Sequence, residues 1–219
     1  MPTFDSYKKF REQKKPRQQK RSIRGRTDRP IGPVLDDLIC EIENNLIGEH
    51  EIIIVNDGCT DETEREIEEL LRGRKFQINS EGKNRKTFSL SANGLKLAVT
   101  ILLNETNQGL TPAFVLGYKE ALKKTPAYVI KLDSDGLHDP SKFPVLLNRI
   151  TRDKNMKFTW LKEDPKKGYG FRAIRGNVLN EIMPALEKYS ICLVKKYPDN
   201  PEERRGADRM TNRLINALD

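Results

Sequence analysis

The fold is decided by residues 51–61, EIIIVNDGCTD. The first five residues are a short apolar run rich in isoleucine, which is typical of a strand buried on both faces of a parallel sheet. A polar turn, Asn56-Asp57-Gly58, follows this run directly. Because ligands bind beyond the carboxyl ends of the strands in open parallel sheets, this turn is a candidate site. Its alternative interpretation is an ordinary turn, with Asp61 acting only as a helix cap.

The sequence on either side of this stretch alternates between helical and extended patterns. Helical spacing predicts helices over 34–46, 61–71, 111–124, 141–150, 177–189 and 202–218. Asp61 is expected to cap the second of these helices, with Glu64 as its capping-box partner. Apolar runs predict further strands over 98–103, 127–132 and 154–161, whereas polar residues 80–94 are expected to form an insertion or mobile loop. This alternation predicts an α/β fold with a mostly parallel sheet flanked by helices.

Charge divides the chain into two parts. Residues 1–29 hold 11 basic and three acidic residues and thus account for the whole net charge of +8. With few large apolar groups to bury, this segment is expected to be a disordered arm, and residues 30–219 a single domain. The arm suits an anionic membrane surface, or nucleic acid as the less favoured partner; it could equally be a solvated tail.

Composition excludes several classes of protein. The strongest apolar stretch, residues 95–103, is interrupted by Lys96 and is far shorter than the ~20 residues that span a bilayer. The first residues lack the apolar run of a secretory signal. Three cysteines without close spacing fit a reducing compartment and give no metal-ligand pattern. We therefore expect a cytoplasmic protein, peripheral at the membrane if the arm binds lipid.

A second acidic turn, DSDGLHDP over residues 133–140, follows the predicted strand 127–132. Asp57, Asp133 and Asp135 should therefore lie along one sheet edge, where oxygen ligands suit Mg²⁺ or Mn²⁺. A calcium-binding loop is excluded because Leu137 occupies its fifth position and its sixth lacks glycine. The dinucleotide-like pattern GYGFRA at 168–173 is rejected because no buried strand precedes it.

Three motifs together resemble family 2 glycosyltransferases. Residues 51–61 resemble that family's strand and acidic turn, residues 107–113 (NQGLTPA) resemble its helix entry, and residues 131–140 (KLDSDGLHDP) resemble its "L-D-A-D-x-Q-H-x-P" segment. Their order and spacing fit over about residues 34–150, closest to the polyprenol-phosphate (dolichyl-phosphate) hexosyl synthases. The resemblance implies a GT-A fold and metal-dependent transfer of a hexose from a nucleotide-diphosphate sugar.

The resemblance also implies roles for individual residues. Asp133 and Asp135 would be the catalytic, metal-binding carboxylates. The nucleotide sugar would be bound by Asn56, Asp57, Asp61, Gly109 and Asp133. Residues 164–173 (DPKKGYGFRA) look like the loop that binds a polyprenyl phosphate acceptor, through Lys167, Arg172 and Arg175. The alternatives are a saccharide, protein or small-molecule acceptor, or a non-catalytic relative that binds nucleotide sugars or polyanions.

The chain departs from the family pattern at its opening strand and in its second half. The family's first strand, "V-x-I-P-x-Y-N-E", has no clear counterpart, and residues 21–30 (RSIRGRTDRP) are its only candidate. Leu137 stands where the subgroup often has a metal-contacting Gln. An Arg-rich helical segment at 203–218 follows residues 164–173, whereas in the family it precedes the corresponding loop.

Overall fold

The computed structural model describes residues 31–134, 136, 138–161 and 171–218. Its strands are β1 (Gly48–Asp57), β2 (Gln77–Gly82), β3 (Arg85–Ala92), β4 (Leu95–Asn104), β5 (Tyr128–Lys131), β6 (Phe158–Trp160) and β7 (Arg172–Arg175). Its α-helices are α1 (Ile31–Asn45), α2 (Thr63–Gly73), α3 (Leu110–Leu122), α4 (Phe143–Arg152), α5 (Gly176–Lys196) and α6 (Ala207–Asn216). Short 3₁₀ helices cover Pro140–Lys142 and Pro201–Glu203. The predicted arm, residues 1–29, lies outside the described residues.

The deciding stretch forms β1, which pairs in parallel with β4. Ile54 of β1 lies opposite Ile101 of β4, and both side chains are buried. Helices cover both faces of the sheets. One apolar cluster is formed with α1, α2 and α4, and a second with α3, α5 and α6. This arrangement confirms the predicted α/β fold, a mixed sheet with a parallel core flanked by helices.

The predicted mobile loop at residues 80–94 is wrong, because this region belongs to an antiparallel hairpin. β2 pairs with β3, and β3 pairs with β4, which gives a sheet in the order β1-β4-β3-β2. Phe88 and Leu90 alternate with polar residues and pack into the core. The charge of Lys86 hid this alternation; its ammonium lies 2.7 Å from Glu64 and 2.6 Å from Glu68, both on α2.

The start of α2 also differs from the prediction. The helix begins at Thr63 rather than at Asp61, and its N-cap is Glu62, without a side-chain cap hydrogen bond. The Asp61 carboxylate instead accepts a hydrogen bond from the Thr63 backbone N–H at 3.0 Å. Hydrogen bonds from the Thr63 hydroxyl and from this N–H lower the pKa of Asp61. Glu64 pairs with Lys86 and makes no capping box. The hairpin thus supplies a partner that the local sequence could not reveal.

The second half of the chain forms a separate antiparallel sheet in the order β5-β7-β6. The strand predicted over 154–161 shortens to β6, while β7 replaces the end of the predicted acceptor loop. α5 extends beyond the predicted 177–189 and α6 is shorter than the predicted 202–218. No helix in the described ranges is long and apolar enough to cross a bilayer.

Residues of both β1 and β5 line a cavity of about 1310 Å³. Lys124, in the segment before β5, lies 3.0 Å from Glu51 of β1. At the other end, Asp57 of β1 accepts a hydrogen bond from Gly109, just before α3. Lys131, the last residue of β5, contacts the ring of Phe114 on α3. In the described part of the chain, β1 pairs only with β4 and β5 only with β7. Residues of α1, α3, α4, β3, β4 and the segment 201–205 also line the cavity.

Candidate functional site

The turn after β1 is held together by its own polar groups. Asn56 is buried, and its side-chain oxygen accepts a hydrogen bond from the Cys59 backbone N–H at 2.9 Å. Gly58 has a φ of +76°, and a Cβ there would lie 2.4 Å from the backbone nitrogen of Asn107. A side chain at Gly58 would therefore separate β1 from the loop before α3.

Asp57 fixes that loop in place. Its carboxylate accepts hydrogen bonds from the backbone N–H of Gln108 at 3.0 Å and of Gly109 at 2.8 Å. The side-chain amide of Asn104 donates a third, at 2.8 Å. A carboxylate at a helix N-terminus is electrostatically favourable, so Asp57 stabilises the start of α3. Any contact with a nucleoside has to be made alongside these bonds.

Gly109 joins the same turn to the C-terminal segment. Its φ is +94°, and a Cβ there would lie 2.5 Å from the carbonyl oxygen of Pro201. The Arg204 guanidinium is buried and donates a hydrogen bond to the carbonyl of Gln108 at 2.8 Å, while the Thr111 N–H donates to the carbonyl of Arg204 at 2.9 Å. Sequence reasoning missed Arg204, since nothing in PEERRGAD distinguishes it from its neighbour Arg205.

Asp133 follows β5 and lines the same cavity as Asp57. Its carboxylate lies 2.6 Å from the ammonium of Lys131 and 3.8 Å from Nε2 of His138. Asp135, its predicted metal-binding partner, lies outside the described residues. The expected single sheet edge is wrong, because β1 and β5 belong to different sheets in the described part of the chain. Asp57 and Asp133 nevertheless line one cavity.

Lys131 and Arg172 form a buried network of alternating charges with Asp133 and Asp208. The Lys131 ammonium lies 3.6 Å from Asp208, which is also ion-paired with Arg172. Arg172 is only 1% exposed and also donates to the side-chain oxygen of Asn212 at 3.3 Å. Burial lowers the pKa of Arg172, an effect that nearby Tyr118 and Asp133 oppose. Residues of β5, β7 and α6 are thereby joined beside the candidate site.

The other two predicted acceptor residues have different positions. The Arg175 guanidinium donates to the carbonyls of Ile150 at 3.0 Å, Asp153 at 2.7 Å and Met156 at 2.7 Å. It therefore satisfies backbone acceptors at and after the end of α4. Lys167 lies outside the described residues. The structure thus gives Arg172 and Arg175 partners within the protein.

Two buried polar groups beside this network were not selected from the sequence as binding residues. The Tyr118 hydroxyl and Nδ1 of His138 have no hydrogen-bond partner within the described ranges. Burial raises the pKa of Tyr118, opposed by Arg172 and reinforced by Asp133. The aromatic side chain of Tyr118, on a helical apolar stripe, resembles an ordinary core residue in the sequence.

The residues around Asp133 do not by themselves form a metal centre. Within residues 31–134, 136, 138–161 and 171–218, no group of three or more His, Cys, Asp or Glu residues is arranged to hold a metal ion. Asp133, the predicted ligand in these ranges, is already paired with an ammonium group. The described side chains thus do not fit a divalent ion without rearrangement.

Comparison with protein-family models shows to which family the chain belongs. The model for glycosyl transferase family 2 matches residues 29–195, which include β1, β5, both acidic turns and Arg172. No curated protein and no solved structure matches the chain. The matched residues cover well over half of the sequence and end just before the segment that contains Arg204 and Asp208. The chain therefore belongs to glycosyl transferase family 2.

Proposed function

We propose that the protein transfers a hexose from a nucleotide-diphosphate sugar to a polyprenyl phosphate, beyond the carboxyl ends of β1 and β5. Family membership implies glycosyl transfer and a nucleotide-sugar donor. The location is supported by one observation: Asp57, Asp133 and the first turn of α3 line the same cavity. The proposed donor-binding residues are Asn56, Asp57, Asp61, Gly109 and Asp133.

A divalent ion, Mg²⁺ or Mn²⁺, is part of this proposal because members of the family typically use one. Asp133 and Asp135 are its proposed ligands. When bound beside a diphosphate, such an ion neutralises the negative charge of the leaving group. Asp133 is paired with Lys131 in the structure, so an ion could bind there only if this pair separated.

The acceptor in this proposal is already ionised. One of its phosphate oxygens forms a bond to the anomeric carbon while the bond from that carbon to the nucleoside diphosphate breaks. Positioning of the phosphate then matters more than a strong base. Lys167, Arg172 and Arg175 are the proposed positioning cations. Arg172 and Arg175 would have to exchange their partners within the protein for the phosphate.

The basic arm is proposed to keep the domain near the lipid acceptor. Residues 1–29 carry the whole net charge. Basic residues close to an anionic membrane each contribute ~1 kcal/mol to binding. Cytoplasmic membrane surfaces, which are rich in anionic lipids, are therefore the proposed location.

Arg172→Lys tests the acceptor assignment. Lysine keeps the charge but loses the bidentate geometry of the guanidinium. Transfer to a polyprenyl phosphate should fall about tenfold or more, while hydrolysis of the nucleotide sugar without lipid survives. Equal losses in the two reactions would place Arg172 with the donor or in the fold. Transfer to a saccharide but not to the lipid would favour the alternative acceptor class.

A further inference from the structure

We infer that Lys131 competes with divalent metal for Asp133, so that this lysine determines how strongly the protein binds Mn²⁺. The inference rests on the proposed assignment of Asp133 to the metal site. Its basis is the 2.6 Å ion pair between the Lys131 ammonium and an Asp133 carboxylate oxygen.

The ammonium group is held in place from several sides. Lys131 is only 9% exposed, and its nitrogen lies 4.1 Å from the centre of the Phe114 ring, a favourable cation–π distance. Asp208 lies 3.6 Å away on the other side. Three elements, β5, α3 and α6, therefore define the position of this charge.

Asp208 is itself fixed by a second buried cation. Arg172 is ion-paired with it and also donates a hydrogen bond to its backbone carbonyl at 3.4 Å. Because of this ion pair, the negative charge of Asp208 stays compensated by Arg172 when Lys131 is replaced. Replacing Lys131 by an apolar side chain should therefore remove the ammonium from Asp133 and leave Nε2 of His138, 3.8 Å away, beside its carboxylate.

A divalent ion and the ammonium group cannot share the Asp133 carboxylate without strong repulsion. Two positive charges a few ångströms apart repel each other far more strongly in a partly buried site than in water. Metal binding at Asp133 must therefore displace Lys131 from a position that it occupies with little exposure. Lys131 lies in YVIK, where the apolar neighbours on the strand gave no sign of a functional charge.

Lys131→Met tests this inference directly. Methionine retains an apolar stem against Phe114 and removes the charge. We expect the Mn²⁺ dissociation constant, measured by calorimetric titration with MnCl₂ alone, to fall about tenfold or more. Adding Asp133→Asn to this variant should abolish the gain. Lys131→Gln serves as a second neutral variant if Lys131→Met does not fold.

Lys119→Met is the matched control for net charge. Lys119 is exposed on α3 and lies 3.3 Å from Glu187, so its loss should leave Mn²⁺ affinity unchanged. Equal affinity in the wild type and Lys131→Met, or a gain that survives Asp133→Asn, would overturn the inference. Micromolar binding by the wild type would overturn it as well. Because the titration contains no nucleotide sugar, its result is independent of whether the protein transfers hexose to a lipid.

Discussion

At the scale of single residues, Asp57 determines how the sheet meets the candidate site. Both of its carboxylate oxygens accept hydrogen bonds from the turn before α3. Hydrogen bonds to an ionised group are stronger than neutral ones, and an N–H left without an acceptor is costly. Asp57 therefore contributes to the fold whether or not it also contacts a nucleoside.

Asp57→Asn should lower the free energy of unfolding by about 1–3 kcal/mol, since an amide NH₂ would face a backbone N–H that now has an acceptor. Urea unfolding measures this loss. Asp61→Asn is the control because an asparagine oxygen can still accept the hydrogen bond from Thr63, so its effect should stay within about 0.5 kcal/mol. Equal effects of the two substitutions would contradict the role of the Asp57 hydrogen bonds in stabilising the start of α3.

The sequence predicts residues whose role is local better than those that need a distant partner. Asn56 and Asp57 follow an apolar run, and this context alone places them at a strand end. Arg204 and Asp208 become part of the site only because the C-terminal segment packs against α3 and β7. Their partners are 96 and 36 residues away in the chain, a separation that no local pattern encodes.

At the scale of elements, the contact between the start of α3 and the C-terminal segment leaves no space for a side chain at Gly109. Gly109 has φ +94° and ψ 161°, a conformation essentially limited to glycine. Gly109→Ala should therefore combine backbone strain of about 1–3 kcal/mol with a steric clash against Pro201. Gly94→Ala is the matched control, because Gly94 has a φ of +82° and no neighbour within 4 Å of a Cβ.

We expect Gly109→Ala to lower the free energy of unfolding by at least about 1 kcal/mol more than Gly94→Ala does. Chemical denaturation of both variants provides the comparison. If both lose the same stability, backbone strain explains everything and the C-terminal segment does not press on the turn before α3.

Elements with a strong apolar period are those that the sequence predicts well. β1 contains the apolar run at 52–55 and β4 the largely apolar run at 97–103, and the stripe of α1 is unambiguous. The β2–β3 hairpin was missed because Lys86 and its neighbours suggested a solvated loop. The charge of Lys86 is compensated by Glu64 and Glu68 on α2. This is a tertiary interaction, which the local sequence does not show. β7 was missed because Arg172 is buried beside Ala173 and Ile174, and its pairing with Asp208 makes this possible.

At the scale of the whole molecule, the proposed division at residue 30 remains a prediction, and it concerns the cavity lined by β1 and β5. Both strands line the cavity, and so does Ile31 at the start of α1. Residues 21–30 contain four arginines, and Ile23 is their one large apolar side chain. Burying these arginines against the apolar residues that line the cavity would be unfavourable.

Deletion of residues 1–29 should therefore leave the melting temperature almost unchanged and weaken binding to anionic vesicles, because the arm supplies the net charge. Thermal unfolding and vesicle co-sedimentation measure the two effects. Deletion of residues 1–20 alone is the control for charge loss away from the cavity. A large drop in melting temperature only when residues 21–29 are also removed would make that segment the missing first strand.

Nucleotide-sugar binding beside Asp57 and Asp133 is the central proposed property of the protein, and thermal unfolding with a panel of nucleotide sugars tests it most directly. A ligand that binds only the folded protein stabilises it by about 2.7 kcal/mol at 100 times its dissociation constant. We predict that at least one nucleotide sugar raises the melting temperature when Mn²⁺ is present, and that Asp135→Asn abolishes this shift without destabilising the unliganded protein. No shift with any nucleotide sugar, with or without Mn²⁺, would contradict the account.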